Sequence, residues 1–306
     1  MELRVLRYFL AVAREESISG AAQALHLTQP TLSRQLMELE EEVGKKLFLR
    51  GSRRVTLTDD GVLLRKRASE ILALVDKTES ELRETADIED GDIYIGGGET
   101  EGMRCLAQAI RAFHRRYPLV RFHLYSGNAD DVSERVEKGL LDLGLLIDPH
   151  DTRKYGSLRL PVRDRWGLLT RKDSPLAEKE AIGPEDLRDQ PLLLSQQSMV
   201  REDLSAWLGY EAEALRVVAT YNLIYNASLL VEAGVGHALC LEHLANTGED
   251  SPLCFRPLSP PLVSGMSLIW SKYQIHSRAT EAFLDLLRER LASPTPPGTE
   301  QTKSIS

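Results

Sequence analysis

The fold class predicted by this sequence is α followed by α/β: a small helical unit, one long helix, and a two-lobed α/β region. Three observations carry it. Apolar residues recur at helical spacing over residues 3–43, a single helical seam runs from Gly61 to Leu82, and beyond residue 90 short apolar runs alternate with helical stretches. A chain of 306 residues also exceeds what one hydrophobic core usually serves, about 250 to 300 residues, so two or three domains are expected.

In the first helix, residues 2–15, Leu3, Leu6, Phe9, Leu10 and Ala13 form the apolar face. Ser19 reads as the N-cap of a short second helix whose Ala21, Ala22 and Ala24 allow close packing. Thr28 caps a third, with Pro30 tolerated in its first turn. There Leu32, Leu36, Leu39 and Val43 share a stripe, so Thr31, Arg34 and Glu38 point outward and Ser33 lies at the flank. Short donors and an Arg at this end suit DNA base edges and phosphates; the alternative is a solvated helix face. After Gly44, Leu47–Arg50 and Arg53–Thr58 read as a hairpin around Gly51-Ser52. Its Arg50, Arg53 and Arg54 suit phosphates or a minor groove. A formal net charge of −8 argues against nucleic acid if spread evenly, yet between Glu42 and Asp59 the chain carries Lys45, Lys46, Arg50, Arg53 and Arg54 and no acid.

The run Ala21-Ala22-Gln23-Ala24-Leu25, then Leu27-Thr28-Gln29-Pro30-Thr31-Leu32-Ser33, Leu39-Glu40, Gly44, Leu47-Phe48, Arg50, Arg53, Leu57-Thr58 and Gly61 closely resembles the DNA-binding domain of LysR-type transcriptional regulators. The match is nearly continuous over residues 3–64. The resemblance implies a winged helix-turn-helix in which Gln29, Thr31, Ser33 and Arg34 face double-stranded DNA, with Arg50 and Arg53 supporting from the wing. Arg54 joins them as a DNA-contact candidate.

Thr58 followed by Asp59-Asp60 opens the long helix with acids at the positive end of its dipole. Gly61, Leu64, Ala68, Ile71, Val75, Thr78 and Leu82 alternate by three and four, a seam of about three heptads. It packs either on a second chain or on this chain's own sensor region. The family places a dimerising linker helix here, which favours a homodimer and, beyond it, a homotetramer, with Leu64, Ala68, Ile71, Val75 and Leu82 as contacts.

Past Glu89-Asp90-Gly91-Asp92, strands are expected at Ile93–Gly97, Val120–Ser126 and Leu141–Ile147, with helices at Met103–Tyr117 and Asp130–Lys138 between them. A second set comprises strands at Trp166–Thr170, Leu192–Ser195, Leu215–Thr220 and Ala238–Leu241 and helices at Val200–Leu208 and Leu223–Ala233. Met266–Ser271 is a further strand and Ser277–Leu291 a final helix. The expected domains are therefore residues 1–58, a linker over 59–88, a sensor over 89–293 (lobe 1 about 89–160 and 266–293, lobe 2 about 161–265), and a disordered tail over 294–306. This region is similar, more loosely, to the family's regulatory domain and to periplasmic solute-binding proteins, with Val231-Glu232-Ala233-Gly234-Val235-Gly236 the clearest correspondence.

A small-molecule effector then belongs between the lobes, where strand ends and helix N-termini present unpaired N–H groups. Candidates are Thr100, Asn128, Ser195, Gln196, Gln197, Asn222 and Asn226, each also readable as a turn or cap residue. Glu99 and Glu101 flank Thr100; they serve as dipole partners on the surface, or else face the cleft and repel a carboxylate unless Arg104 or Arg201 neutralises them. In the second case the effector is bound by neutral hydrogen bonds from Thr100, Ser195 and Gln196 and is uncharged or carries an amine.

Other classes fare worse. Gly96-Gly97-Gly98 fails as a dinucleotide fingerprint because position 101 is Glu101, and neither a nucleophile elbow, a P-loop nor an H-E-x-x-H motif occurs. An enzyme or a solute-binding module stays as the alternative to a regulator. The three cysteines, Cys105, Cys240 and Cys254, lack C-x-x-C spacing, so neither disulfides nor zinc are expected, and no cofactor. Arg4, Arg7 and Arg14 interrupt the N-terminal apolar residues, which leaves no signal-peptide core and points to the cytoplasm.

Overall fold

A computed structural model describes residues 1–51, 54–83, 90–148, 153–196, 202–210 and 214–292, in two compact units, Met1–Arg83 and Glu84–Ser306. Arg53, Gln197, Arg201, the expected step from linker to sensor between residues 88 and 89, and the tail from 293 lie outside the described residues.

The first unit contains α1 (Leu3–Glu15), α2 (Ile18–Ala24), α3 (Gln29–Val43), β1 (Phe48–Arg50), β2 (Val55–Leu57) and α4 (Asp59–Arg83). Its core gathers Val5, Leu6, Phe9 and Val12 of α1, Ala21 and Ala22 of α2, and Leu32, Leu36 and Leu39 of α3. Phe48 closes it, its ring 5.1 Å from that of Phe9. Two sequence expectations shift by a fraction of a turn: Leu3 and Val43 are exposed, because Val5 and Val12 complete the inner face of α1 and Val43 sits in the last turn of α3, past the core. The cap of α2 is Ser17, not Ser19: its Oγ accepts the Gly20 N–H at 3.1 Å, and its extended backbone marks the true helix start. Gly44 ends α3 in the left-handed region at φ 67°, where a side chain is costly.

The wing is locked to α3 by a buried acid. Glu40 accepts the N–H groups of Leu47 (2.8 Å) and Phe48 (3.2 Å) and the Lys46 ammonium (3.0 Å). Burial alone raises its pKa, but these donors outweigh it and hold the carboxyl below the usual carboxylate range. Next along the chain, Thr58 donates to Lys46 O (2.7 Å) and accepts from Gly61 N (3.0 Å), starting α4. Gly61 lies so close to the wing that a Cβ would meet Leu47 O at 2.1 Å.

For α4 the expected seam divides. Ala68 and Leu72 are buried in the first unit's core and Leu64 packs against it, so Leu64 and Ala68 are corrected from dimer contacts to core residues. The reason is rotational: the face of α4 through residues 64, 68 and 72 packs into the core that α1 helps to build, with Arg7 on Asp76 at 2.8 Å. Leu63, Ile71, Leu74 and Leu82 are exposed, Leu82 at 81%, while Val75 is half-buried.

The second unit is built on nine strands among the described residues, ordered β4-β3-β5-β11-β6-β9-β7-β8 with β10 also on β6. They are β3 (Asp90–Gly97), β4 (Leu119–Ser126), β5 (Leu143–Ile147), β6 (Tyr155–Arg171), β7 (Leu192–Ser195), β8 (Val217–Tyr221), β9 (His237–Leu241), β10 (Leu253–Pro257) and β11 (Val263–Ser271). β3 runs parallel to β4 and β5, and β7 parallel to β8 and β9. The long β6 belongs to both lobes: its last pair with β11 is Arg165 with Val263, and its first with β9 is Trp166 with Leu241.

Helices cover the sheet faces. In the first lobe α5 (Gly102–Arg116) and α9 (Arg278–Ala292) pack Leu106, Phe113, Phe283 and Leu287 against Ile93, Leu143 and Leu268, and α6 (Ala129–Glu137) buries Val132 and Val136 on the other side. In the second, α7 (Glu202–Leu208) and α8 (Ile224–Glu232) enclose Leu168, Leu192, Leu194 and Leu239 on one face and Leu193, Ala238 and Cys240 on the other. The leading half of β6 and all of β10 escape the sequence reading. Pro161 and the charged Arg159, Arg163, Asp164 and Arg165 mask the first, and Arg256 and Pro257 the second.

Candidate functional site

The first unit offers the N-terminal end of α3. Thr28 caps it, its Oγ accepting from Thr31 N at 3.4 Å and lying 2.8 Å from Thr31 Oγ. Because Leu32, Leu36 and Leu39 point inward, Gln29, Pro30, Thr31 and Arg34 are exposed and Ser33 is half-buried beside them. Arg34 is held by Glu38 one turn on, Nε to Oε1 2.8 Å. In the wing β1 pairs with β2 in the register Phe48 to Leu57 and Arg50 to Val55, which puts Arg50 at the hairpin tip. Arg54 is exposed but already paired with Glu16, just past α1.

The second unit carries a cavity of about 630 Å³, open to solvent, between its lobes. The topology creates it: strands from both lobes end there, so the wall includes residues at or just past the ends of β3 (Gly98, Glu99), β4 (Gly127, Asn128), β7 (Ser195, Gln196) and β8 (Tyr221, Asn222). Ile147, Trp166, Ile224, Leu241 and Leu244 supply apolar surface. Four predicted residues, Asn128, Ser195, Gln196 and Asn222, come together here. Asn128 also caps α6, its Oδ1 accepting from Asp131 N at 2.8 Å. Asn222 Oδ1 accepts from Leu223 N at 3.0 Å.

Two predicted residues do not reach the cavity. Thr100 is buried, its hydroxyl donating to Asp164 Oδ2 (2.5 Å) and accepting from Gly102 N (3.0 Å). The Thr100 hydroxyl is thus turned toward β6, where Asp164 also accepts the Glu101 N–H at 3.2 Å and caps the start of α5. Burial raises the Asp164 pKa, partly offset by the Thr100 and Glu101 donors. Asn226 is exposed in the first turn of α8, away from the residues of the wall.

Of the two flanking acids, Glu101 is bound by Arg104 (Nε to Oε2 2.7 Å, Nη2 to Oε1 3.1 Å), whose hydrogen bonds lower its pKa. Glu99 instead lines the cavity and accepts the Ile224 N–H at the start of α8, 2.5 Å away. Sequence reasoning left Glu99 either on the surface or facing the cleft and missed its partner, since no pattern in the chain links residue 99 to residue 224. Cys240, also in the wall, has its thiol pushed up to about 12 by burial and then by the Glu99 charge, so it is a protonated, inert wall residue at neutral pH. Among the described residues no group of three His, Cys, Asp or Glu side chains is placed to hold a metal, and no helix is long and apolar enough to cross a membrane.

Comparisons with known proteins agree on one family. Residues 3–62 match the model "Bacterial regulatory helix-turn-helix protein, lysR family", and residues 86–292 match "LysR substrate binding domain". The chain is 30% identical to the Hca operon transcriptional activator HcaR of Escherichia coli (strain K12), over 96% of this chain and all of that one (100%). It is 28% identical to a probable RuBisCO transcriptional regulator of Cyanophora paradoxa, over 99% of this chain and 96% of the relative. In fold it is similar to crystal structures of CbnR, a LysR family transcriptional regulator, alone (TM-score 0.74, 22% identity, 95% of this chain and 99% of that one) and complexed with its target DNA (TM-score 0.73, 21% identity, 94% and 99%). With a winged helix-turn-helix at one end and a two-lobed substrate-binding domain at the other, the chain belongs to the LysR family of transcriptional regulators.

Proposed function

We propose that this protein is a cytoplasmic, oligomeric regulator that reads operator DNA with the N-terminal end of α3, adjusts its grip when a small molecule enters the cleft of the second unit, and catalyses no reaction. The observation that carries the reading is the exposed cluster Gln29, Thr31 and Arg34, with Ser33 beside it, on a helix whose other face is core. Short donors and one guanidinium at a helix end fit the donors and acceptors of the major groove, while wing cations lie along phosphates. The exposed apolar stripe of α4 through Leu63, Ile71, Leu74 and Leu82 supports self-association, and two half-sites follow from two-fold symmetry.

A mobility shift on DNA from upstream of its own gene tests this. Gln29→Ala is expected to weaken the specific complex by about 1 to 3 kcal/mol and binding to random DNA very little. Arg53→Ala is expected to weaken both alike and flatten the salt dependence. Equal losses on both DNAs for Gln29→Ala refute the base-reading role. A metabolite that raises the melting temperature of the full chain and alters the shift identifies the effector.

A further inference from the structure

The cleft has one charged wall residue among the described ones, and it sits where an anion would be held. α8 starts at Ile224 after Leu223, which has no side chain able to cap a helix. Its leading N–H groups therefore need an acceptor from elsewhere. Glu99, more than a hundred residues earlier and on the opposite lobe, provides it through the 2.5 Å bond to Ile224 N. The carboxylate thus fills the electropositive end of the helix from across the cavity.

No Lys, Arg or His is present among the described residues of the wall. The remaining polar side chains among the described residues of the wall, those of Asn128, Ser195, Gln196, Asn222 and Tyr221, are neutral, and Glu101, the other acid nearby, is bound to Arg104. A carboxylate entering the cleft meets the Glu99 charge and finds the α8 terminus taken. An amine or amide finds an acceptor there.

We propose that Glu99 is a specificity-determining residue: by occupying the α8 N-terminus across the cleft it excludes carboxylate effectors and selects small, partly apolar molecules that are uncharged or carry an amine. This rests on the cleft being the effector site. It also defines what Glu99 does physically. It is a built-in anion whose removal uncovers a carboxylate site.

The test uses the full-length chain with ¹⁵N-labelled isoleucine, the Ile224 amide resonance being assigned by its loss in Ile224→Val. Sodium acetate is titrated against sodium chloride at equal ionic strength into the wild type, Glu99→Ala, Glu99→Gln and the control Glu101→Ala. In the wild type and Glu101→Ala, acetate is expected to leave the Ile224 resonance where chloride leaves it. Glu99→Ala should show a saturable shift, with acetate held about fivefold or more tighter than in the wild type, the factor expected for about 1 kcal/mol at a helix N-terminus. Glu99→Gln keeps the side chain's shape and removes its charge, so it is expected to fall between the two and serves if the alanine variant does not fold. Acetate moving the wild-type resonance as readily as that of Glu99→Ala overturns the proposal, and so does the absence of a saturable shift in both Glu99 variants. Failure of the effector reading itself looks different: no metabolite alters the operator complex, whatever the acetate titration gives.

Discussion

Thr100 and Glu40 are buried polar residues whose value lies in what they hold. Removing the Thr100 hydroxyl leaves Asp164 buried with one donor fewer, so Thr100→Val is expected to cost about 1 to 3 kcal/mol of stability while effector response persists; urea unfolding beside an effector-dependent mobility shift checks both. Unchanged stability with a lost response would return Thr100 to the cleft. Glu40→Ala strands two backbone N–H groups and is expected to cost about 2 to 3 kcal/mol at neutral pH. The Glu40 pKa is depressed in the folded state, so its contribution is present above the unfolded value, about 4.3, and is lost as pH falls through the lower folded value. The gap between wild type and Glu40→Ala should accordingly narrow below about pH 4. A gap that widens on acidification contradicts the assigned network.

At the scale of the element, α4 has two faces with different work. Ala68 is fully buried at 0% exposure, whereas Ile71 and Leu82 are exposed in the single chain at 36% and 81%. Ala68→Asp places an unpaired charge in the core of the first unit, at a cost of about 3 kcal/mol or more, and is expected to unfold it. Ile71→Asp and Leu82→Asp should fold normally but sediment as smaller species and bind operator weakly, each half-site then being held singly. An intact oligomer for both substitutions would move the interface off this stripe.

Across the whole molecule, each of the two units has its own hydrophobic clusters, that of Phe9, Leu36 and Ala68 in the first and those around Phe113 and Leu168 in the second. Calorimetry is therefore expected to resolve two transitions. Phe9→Ala, with a core cost of about 3 to 5 kcal/mol, should lower one of them and leave the other in place, and an effector should raise the one that Phe9→Ala leaves. A single transition displaced by both changes would mean that the two cores unfold together.

Over residues 3–64 periodicity and turn residues were enough for three helices, a tight turn and a hairpin, because these signals act over a few positions, and the outward placement of Thr31 and Arg34, with Ser33 at the flank, follows from the rotation of one helix. The winged helix-turn-helix and the role of Gln29 rested on the resemblance of that stretch to LysR-type regulators. The alternation of strands and helices from Ile93 to Leu241, apart from the leading half of β6, was legible from the same short-range signals, and with it four residues of the cleft wall, since strand ends collect where parallel strands end. What the tertiary structure alone decided is how rotation and distance resolve. Leu64 and Ala68 face α1 rather than another chain because helix packing, not the heptad, selects the buried side. Thr100 turns toward Asp164 of β6, an acid sixty-four residues away, and Glu99 crosses to Ile224, separated from it by 125 residues. Such pairings depend on which strands become neighbours in the folded sheet, and a pattern read along the chain carries no record of that order.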